Sequence, residues 1–132
     1  MSEETMRKLL VVDDEPEAVE LLHDYLSMEG YDVAKAENAT IALEYLENNE
    51  VEVMITDIRM PGMSGVELTR KVKATKPRIG VIINTAYMGL YDEEDIRKSG
   101  ADDFLQKPFN LNELKERVEQ VLFQMDSLKR EG

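Results

Sequence analysis

The 132-residue chain contains no cysteine and a single histidine, His23. Without cysteine, disulfides and thiolate metal sites are excluded. Its apolar runs are strand-sized, so no segment is long enough to span a bilayer as a helix. The first residues, "MSEETMRK", lack the apolar centre of a signal peptide, and a cytoplasmic location is the expectation. Positive charge is also in short supply. Sixteen Lys and Arg stand against 28 Asp and Glu, a formal net charge of −12. That balance opposes direct nucleic-acid binding, which depends on cations neutralising phosphates. It equally opposes docking on anionic lipid.

What is present is a globular balance, 42% hydrophobic and 33% charged. Residues 1–132 read as one domain with its core at about 7–126. The final "EG" reads as either the start of a linker or a cloning remnant. There is no internal repeat. Strand and helix patterns alternate instead. A continuous apolar run at 8–12 suits a strand covered on both faces; 51–57 reads as a third strand ending in an aspartate, and 79–85 as a fourth, buried strand ending in a threonine. Residues 31–36 read as a more polar strand at an edge, and 102–108 as a short strand stopping at Pro108. Helical spacing marks 15–30, where Ala18, Leu22, Tyr25 and Leu26 can share a face, and also 38–48 and 64–74. The segment 88–101 is a weaker helix, poor in apolar residues. The strongest helix is 110–131, with Leu111, Leu114, Val118, Val121, Leu122 and Met125 recurring every three or four residues. Five strands alternating with five helices predict an α/β fold, a doubly wound parallel sheet with helices on both faces.

In such a sheet, ligands bind beyond the carboxyl ends of the strands. The residues that fall there are Asp13 and Asp14, Asp57, Thr85 and Lys107. Singly, each has an ordinary explanation. An Asp after a strand caps a helix or forms a turn, a Thr is a good strand residue, and a Lys before Pro is a solvated charge. Together, three carboxylates at one edge call for a hard divalent cation. Oxygen donors without histidine favour Mg2+ or Mn2+ over zinc. A carboxylate nucleophile with a metal, a cation and a hydroxyl suits phosphoryl transfer.

The stretches "LLVVDDEP" (9–16), "MITDIRMPGMSGVEL" (54–68), "VIINTAY" (81–87) and "GADDFLQKPF" (100–109) resemble a two-component response-regulator receiver domain. The likeness covers most of the chain in order and spacing. It implies a flavodoxin-like sheet of strand order 2-1-3-4-5. It implies that Asp57 is the phosphoacceptor, charged from the phosphohistidine of a histidine kinase or phosphotransfer protein. Asp13, Asp14, Asp57 and the main-chain carbonyl of Arg59 would hold Mg2+. Thr85 and Lys107 would contact the phosphoryl group, and Phe104 would be the aromatic that turns inward with Thr85. Arg59 and Tyr87 fall where the family tunes dephosphorylation, and the Lys107–Pro108 bond is often cis in the family. Gly62 and Gly65 serve the loop backbone, and Met60 and Met63 are adaptable packing. His23 reads as a solvated residue without partners for a metal or relay role.

The implied role is a phosphorylation switch rather than an enzyme. It would act through the fourth helix, fifth strand and fifth helix, which could also form a homodimer. The output would be transcriptional regulation by a further domain; the alternative is a stand-alone phosphorelay receiver. A haloacid-dehalogenase-type hydrolase needs an acid two residues after the nucleophile, where Arg59 stands. An FMN module would have its phosphate repelled by "DDEPE". A phosphorylation-independent interaction module would not need the complete set of acids with Thr85 and Lys107.

Overall fold

A computed structural model describes residues 6–86 and 93–131. Five strands, β1 (Lys8–Val12), β2 (Asp32–Ala36), β3 (Val53–Asp57), β4 (Gly80–Thr85) and β5 (Asp103–Gln106), alternate with five helices. The helices are α1 (Pro16–Met28), α2 (Ala39–Asn48), α3 (Gly65–Thr75), α4 (Glu93–Lys98) and α5 (Leu111–Glu131). All the strands pair in parallel, in the order β2-β1-β3-β4-β5. Edge strand β2 is half-exposed, whereas every residue of β4 is buried.

Strand side chains alternate between two cores. Leu10, Val12, Met54, Val81 and Ile83 face α2, α3 and α4 through Ala42, Leu46, Val66, Leu68 and Ile96. Leu9, Val11, Ile55, Ile82 and Leu105 face α1 and α5 through Leu22, Leu26, Leu114, Val118 and Val121. Each buried Leu or Val contributes about 1.5–3 kcal/mol relative to exposure.

Several element edges differ from the sequence reading. Val19, not Ala18, fills the core beneath α1, because the sheet selects a face one residue round from the one the spacing suggested. Strand β3 starts at Val53, two residues later than the strand expected over 51–57. The helix expected over 88–101 ends at Lys98, where Gly100 takes the left-handed conformation (φ 98°) that terminates a helix. Residues 88–92 of that expectation lie outside the described residues. Strand β5 ends at Gln106, before Lys107 joins Pro108 through a cis peptide. Asn110 starts α5, its side chain accepting from Glu113 N–H at 2.7 Å.

Candidate functional site

The carboxyl ends of β1, β3, β4 and β5 bring Asp13, Asp57, Thr85 and Lys107 to one edge of the sheet. Asp13 directly follows β1 and is 1% exposed. Its main-chain N–H donates to Ala36 O at 3.2 Å, and its Oδ1 accepts from Glu15 N–H at 3.0 Å. Burial pushes the Asp13 carboxyl above the usual carboxylate range. The charges of Asp57 and Asp14 push the same way, while Glu15 N–H and Lys107 oppose them. Asp14 is exposed beside it. A groove of about 310 Å³ opens next to the pair, so a small ion has access.

Asp57 ends β3 with its side chain 14% exposed. Its Oδ1 accepts from Ile58 N–H at 2.7 Å, and its main-chain oxygen accepts from Thr56 Oγ1 at 2.9 Å. The loop after it folds back tightly. Gly65 N–H donates to Ile58 O at 2.9 Å, and Ser64 and Glu67 form a reciprocal capping box on α3. Gly62 supplies the left-handed turn, and Met60 and Met63 pack on the core.

Lys107 N–H donates to the Thr85 carbonyl at 2.8 Å, which fixes the lysine beside the end of β4. Its Nζ lies 3.5 Å from Asp57 Oδ2 and 3.7 Å from Asp13 Oδ2. One ammonium therefore serves two carboxylates at contacts longer than ordinary charge-assisted hydrogen bonds. Thr85 is fully buried, and Phe104 is half-buried against the core shared with Ile83. Arg59 is exposed two residues beyond Asp57, and Tyr87 lies outside the described residues.

The donor set suits a hard divalent cation: carboxylate oxygens, no histidine or thiolate, and one buried carboxyl beside two further negative charges. Ligand atoms of Asp13, Asp14 and Asp57 do not all gather within 4.8 Å of one another; the group that does so among the described residues is Glu20, His23 and Asp24.

His23, expected as a solvated residue without partners for a metal or relay role, has acidic neighbours on its own helix. His23 Nδ1 lies 3.0 Å from Asp24 Oδ1, and Glu20 is near. The spacing of 20, 23 and 24 on one helix was the available signal. Glu20 is already paired with Lys35 at 2.6 Å, however, and both carboxylates are exposed. The cluster is a solvated helix surface. A second feature escaped the sequence altogether. Asn84, in the buried strand β4, is 2% exposed, and its Oδ1 has no hydrogen-bond partner among the described residues.

Comparison with known proteins identifies the family of the fold. The family model for the response regulator receiver domain matches residues 9–119. A cyclic di-GMP phosphodiesterase of Thermotoga maritima is 39% identical over 117 residues, covering 86% of this chain and 30% of that protein. A heme response regulator of Staphylococcus saprophyticus is 38% identical, covering 89% of this chain and 52% of that protein. The crystal structure of a Thermotoga maritima response regulator in complex with Mg2+-BeF superposes with a TM-score of 0.81 at 40% identity, covering 88% of this chain and 99% of that one. The chain thus spans about half or less of the length of these two curated relatives. With the family model spanning most of the chain, the 2-1-3-4-5 sheet and the acidic edge completed by a lysine have one common explanation: the chain belongs to the response-regulator receiver domains of two-component systems.

Proposed function

We propose that Asp57 accepts a phosphoryl group from the phosphohistidine of a histidine kinase or phosphotransfer protein. The observation that carries this reading is the shared Lys107 ammonium, 3.5 Å from Asp57 and 3.7 Å from Asp13. An Asp57 carboxylate oxygen attacks phosphorus in line with the departing imidazole nitrogen. The P–O bond forms as the P–N bond breaks, and the imidazole takes up a proton. The Ile58 N–H, bonded to Asp57 Oδ1 at 2.7 Å, holds one carboxylate oxygen and leaves Oδ2 toward Lys107. Lys107 places positive charge where the equatorial oxygens gain negative charge. The Thr85 hydroxyl is the donor to a phosphoryl oxygen, and Phe104 follows Thr85 inward.

Asp13, Asp14, Asp57 and the Arg59 carbonyl would hold Mg2+, or Mn2+ in its place. When bound, the ion neutralises the acidic edge and the incoming phosphate oxygens. The neighbouring structure's Mg2+-BeF complex supports this assignment. The phosphorylated state would then bias the face formed by α4, β5 and α5, toward an output domain, a partner or a second copy. The similarity to a response regulator over half its length supports control of an output domain, and transcriptional regulation is the output we favour. The reading as a phosphorylation switch, with Asp57 itself the group modified, rests on the match to the receiver-domain family over residues 9–119. One experiment tests the core reading. With Mg2+ and acetyl phosphate, intact mass should show one added phosphoryl group, abolished in Asp57→Asn. An adduct that persists in Asp57→Asn would refute the assignment.

A further inference from the structure

Lys107 and the carboxylates it serves are not neighbours in the sheet. Asp57 ends β3, Lys107 follows β5, and β4 lies between them. The lysine therefore reaches across two strand spacings, about 9.6 Å, over the end of β4. The β4 residue in register with Asp57 is Asn84, which on its other side is in register with Leu105. Side chains alternate along β4, and Ile82 belongs to the core facing α1 and α5. Asn84 is therefore on the face of Ile82, the face that carries Ile55 and Leu105 and, two residues on, Asp57 and Lys107.

Asn84 is 2% exposed in a strand otherwise built of Gly, Val, Ile and Thr. Among the described residues, its Oδ1 is the one buried side-chain N or O atom without a hydrogen-bond partner. An unpaired buried amide oxygen is destabilising, and an aliphatic side chain would avoid the penalty. Alongside it, among the described residues, the Lys107 ammonium meets carboxylates at 3.5 Å (Asp57) and 3.7 Å (Asp13), both longer than an ordinary charge-assisted hydrogen bond. A donor without a short bond and an acceptor without any bond thus share one face of the sheet.

We propose that Asn84 is a positioning residue for Lys107: its side-chain oxygen is a second, neutral seat for the ammonium, taken when Asp13 and Asp57 engage another cation. The proposal rests on the reading of those carboxylates as the cation site. A cation arriving there repels an ammonium only 3.5 Å from one of them. An ammonium driven off with no acceptor would swing into solvent. The Asn84 oxygen instead keeps it at the end of β4, within reach of a phosphoryl group on Asp57. A neutral acceptor suits this task because it competes weakly with the carboxylates while they are free, and does not attract the cation itself as a further acid would.

The test is side-chain 15N NMR of the Lys107 ammonium in the wild-type protein, Asn84→Leu and Asn84→Val, each with and without Mg2+ alone. In the wild type, Mg2+ should shift the Lys107 signal while its hydrogens remain slow to exchange with water. In both variants, Mg2+ should release the ammonium, with exchange about tenfold faster, the effect of losing one hydrogen bond. Two variants of different shape guard against a folding artefact. Equal Lys107 exchange in all three proteins with Mg2+ present would overturn the role of Asn84. If the backbone amides of Asp13 and Asp14 do not respond to Mg2+ in the wild type, the cation-site reading fails, and this proposal with it.

Discussion

Replacing Gly65 by Ala tests how the loop after β3 holds Asp57. A Cβ built on Gly65 would lie 1.9 Å from the Asp57 carbonyl oxygen, 2.8 Å from its carbon and 3.1 Å from Ile58 Cα. All three are main-chain atoms, so no side-chain rotation relieves the clash. Restoring even a 3.0 Å contact means moving the start of α3 or the end of β3 by about 1 Å. The shift acts on a carbonyl that already accepts from Thr56 Oγ1, and on the turn closed by Gly65 N–H to Ile58 O. Overpacking costs about 1–3 kcal/mol, and a clash with backbone belongs at the top of that range, about 3 kcal/mol. For a domain of this size that lowers Tm by roughly 10–15 °C. Gly62→Ala is the internal control. Nothing lies within 4 Å of its added Cβ, but its φ of +81° is left-handed. Its cost is conformational only, about 1–2 kcal/mol. Thermal denaturation by circular dichroism gives the stabilities, and intact mass after acetyl phosphate treatment gives the phosphorylation rate. Gly65→Ala should be the less stable and the slower to phosphorylate. A Gly65→Ala protein as stable as Gly62→Ala would refute the steric reasoning.

Two further substitutions probe the charges. Asp13→Asn should raise the stability of the metal-free protein at neutral pH. The folded carboxyl is raised above its ordinary value of 3.8, so the penalty of its charge is fully present above the folded pKa and vanishes as pH falls below 3.8. The stability gain should therefore shrink with acidification in Tm profiles between about pH 3 and 8, and a gain independent of pH would contradict the cause assigned. Lys73→Met should destabilise by about 2 kcal/mol in urea denaturation, less than the full cost of breaking a buried pair because both partners keep some solvent contact. Lys73 Nζ pairs with Asp102 at 2.7 Å and donates to Ile79 O at 2.7 Å, at the end of the sheet opposite Asp57. Its phosphorylation rate should match the wild type, and a changed rate would show coupling between the two ends.

The legible parts were those set by local period. A continuous apolar run marked β1, and predominantly apolar stretches marked β3 and β4, because both faces of a central parallel strand are covered. The placement of Asp13, Asp57 and Lys107 together was legible because a parallel sheet puts the residues after its strands at one edge. What the sequence hid depends on tertiary choices. Ala18 and Val19 are both small apolar residues on α1, and only packing on the sheet decides that Val19 is inside. The end of α4 depended on Gly100 rather than on any loss of helix-forming residues before it. The position of Asn84 was not legible, because an Asn in "GVIINT" says nothing of its register with Asp57.

Asp13 and Asn84 expose a common logic at this edge. Each is a polar group in a position where an apolar neighbour would be more stable: a carboxyl 1% exposed with its pKa pushed up, and an amide oxygen without a partner. Neither can be explained by the fold, which would tolerate an uncharged amide at the first and an aliphatic chain at the second. Lys107 links them, since it spans β4 to reach Asp13 and Asp57 from β5. The unfavourable groups are therefore confined to one short arc of the sheet, while the strands beneath it are packed by Ile55, Ile82 and Leu105 without polar interruption. Stability is supplied below the site and given up at it. Changes there should accordingly act in opposite directions on folding and on phosphorylation, whereas changes in the core beneath should lower both together.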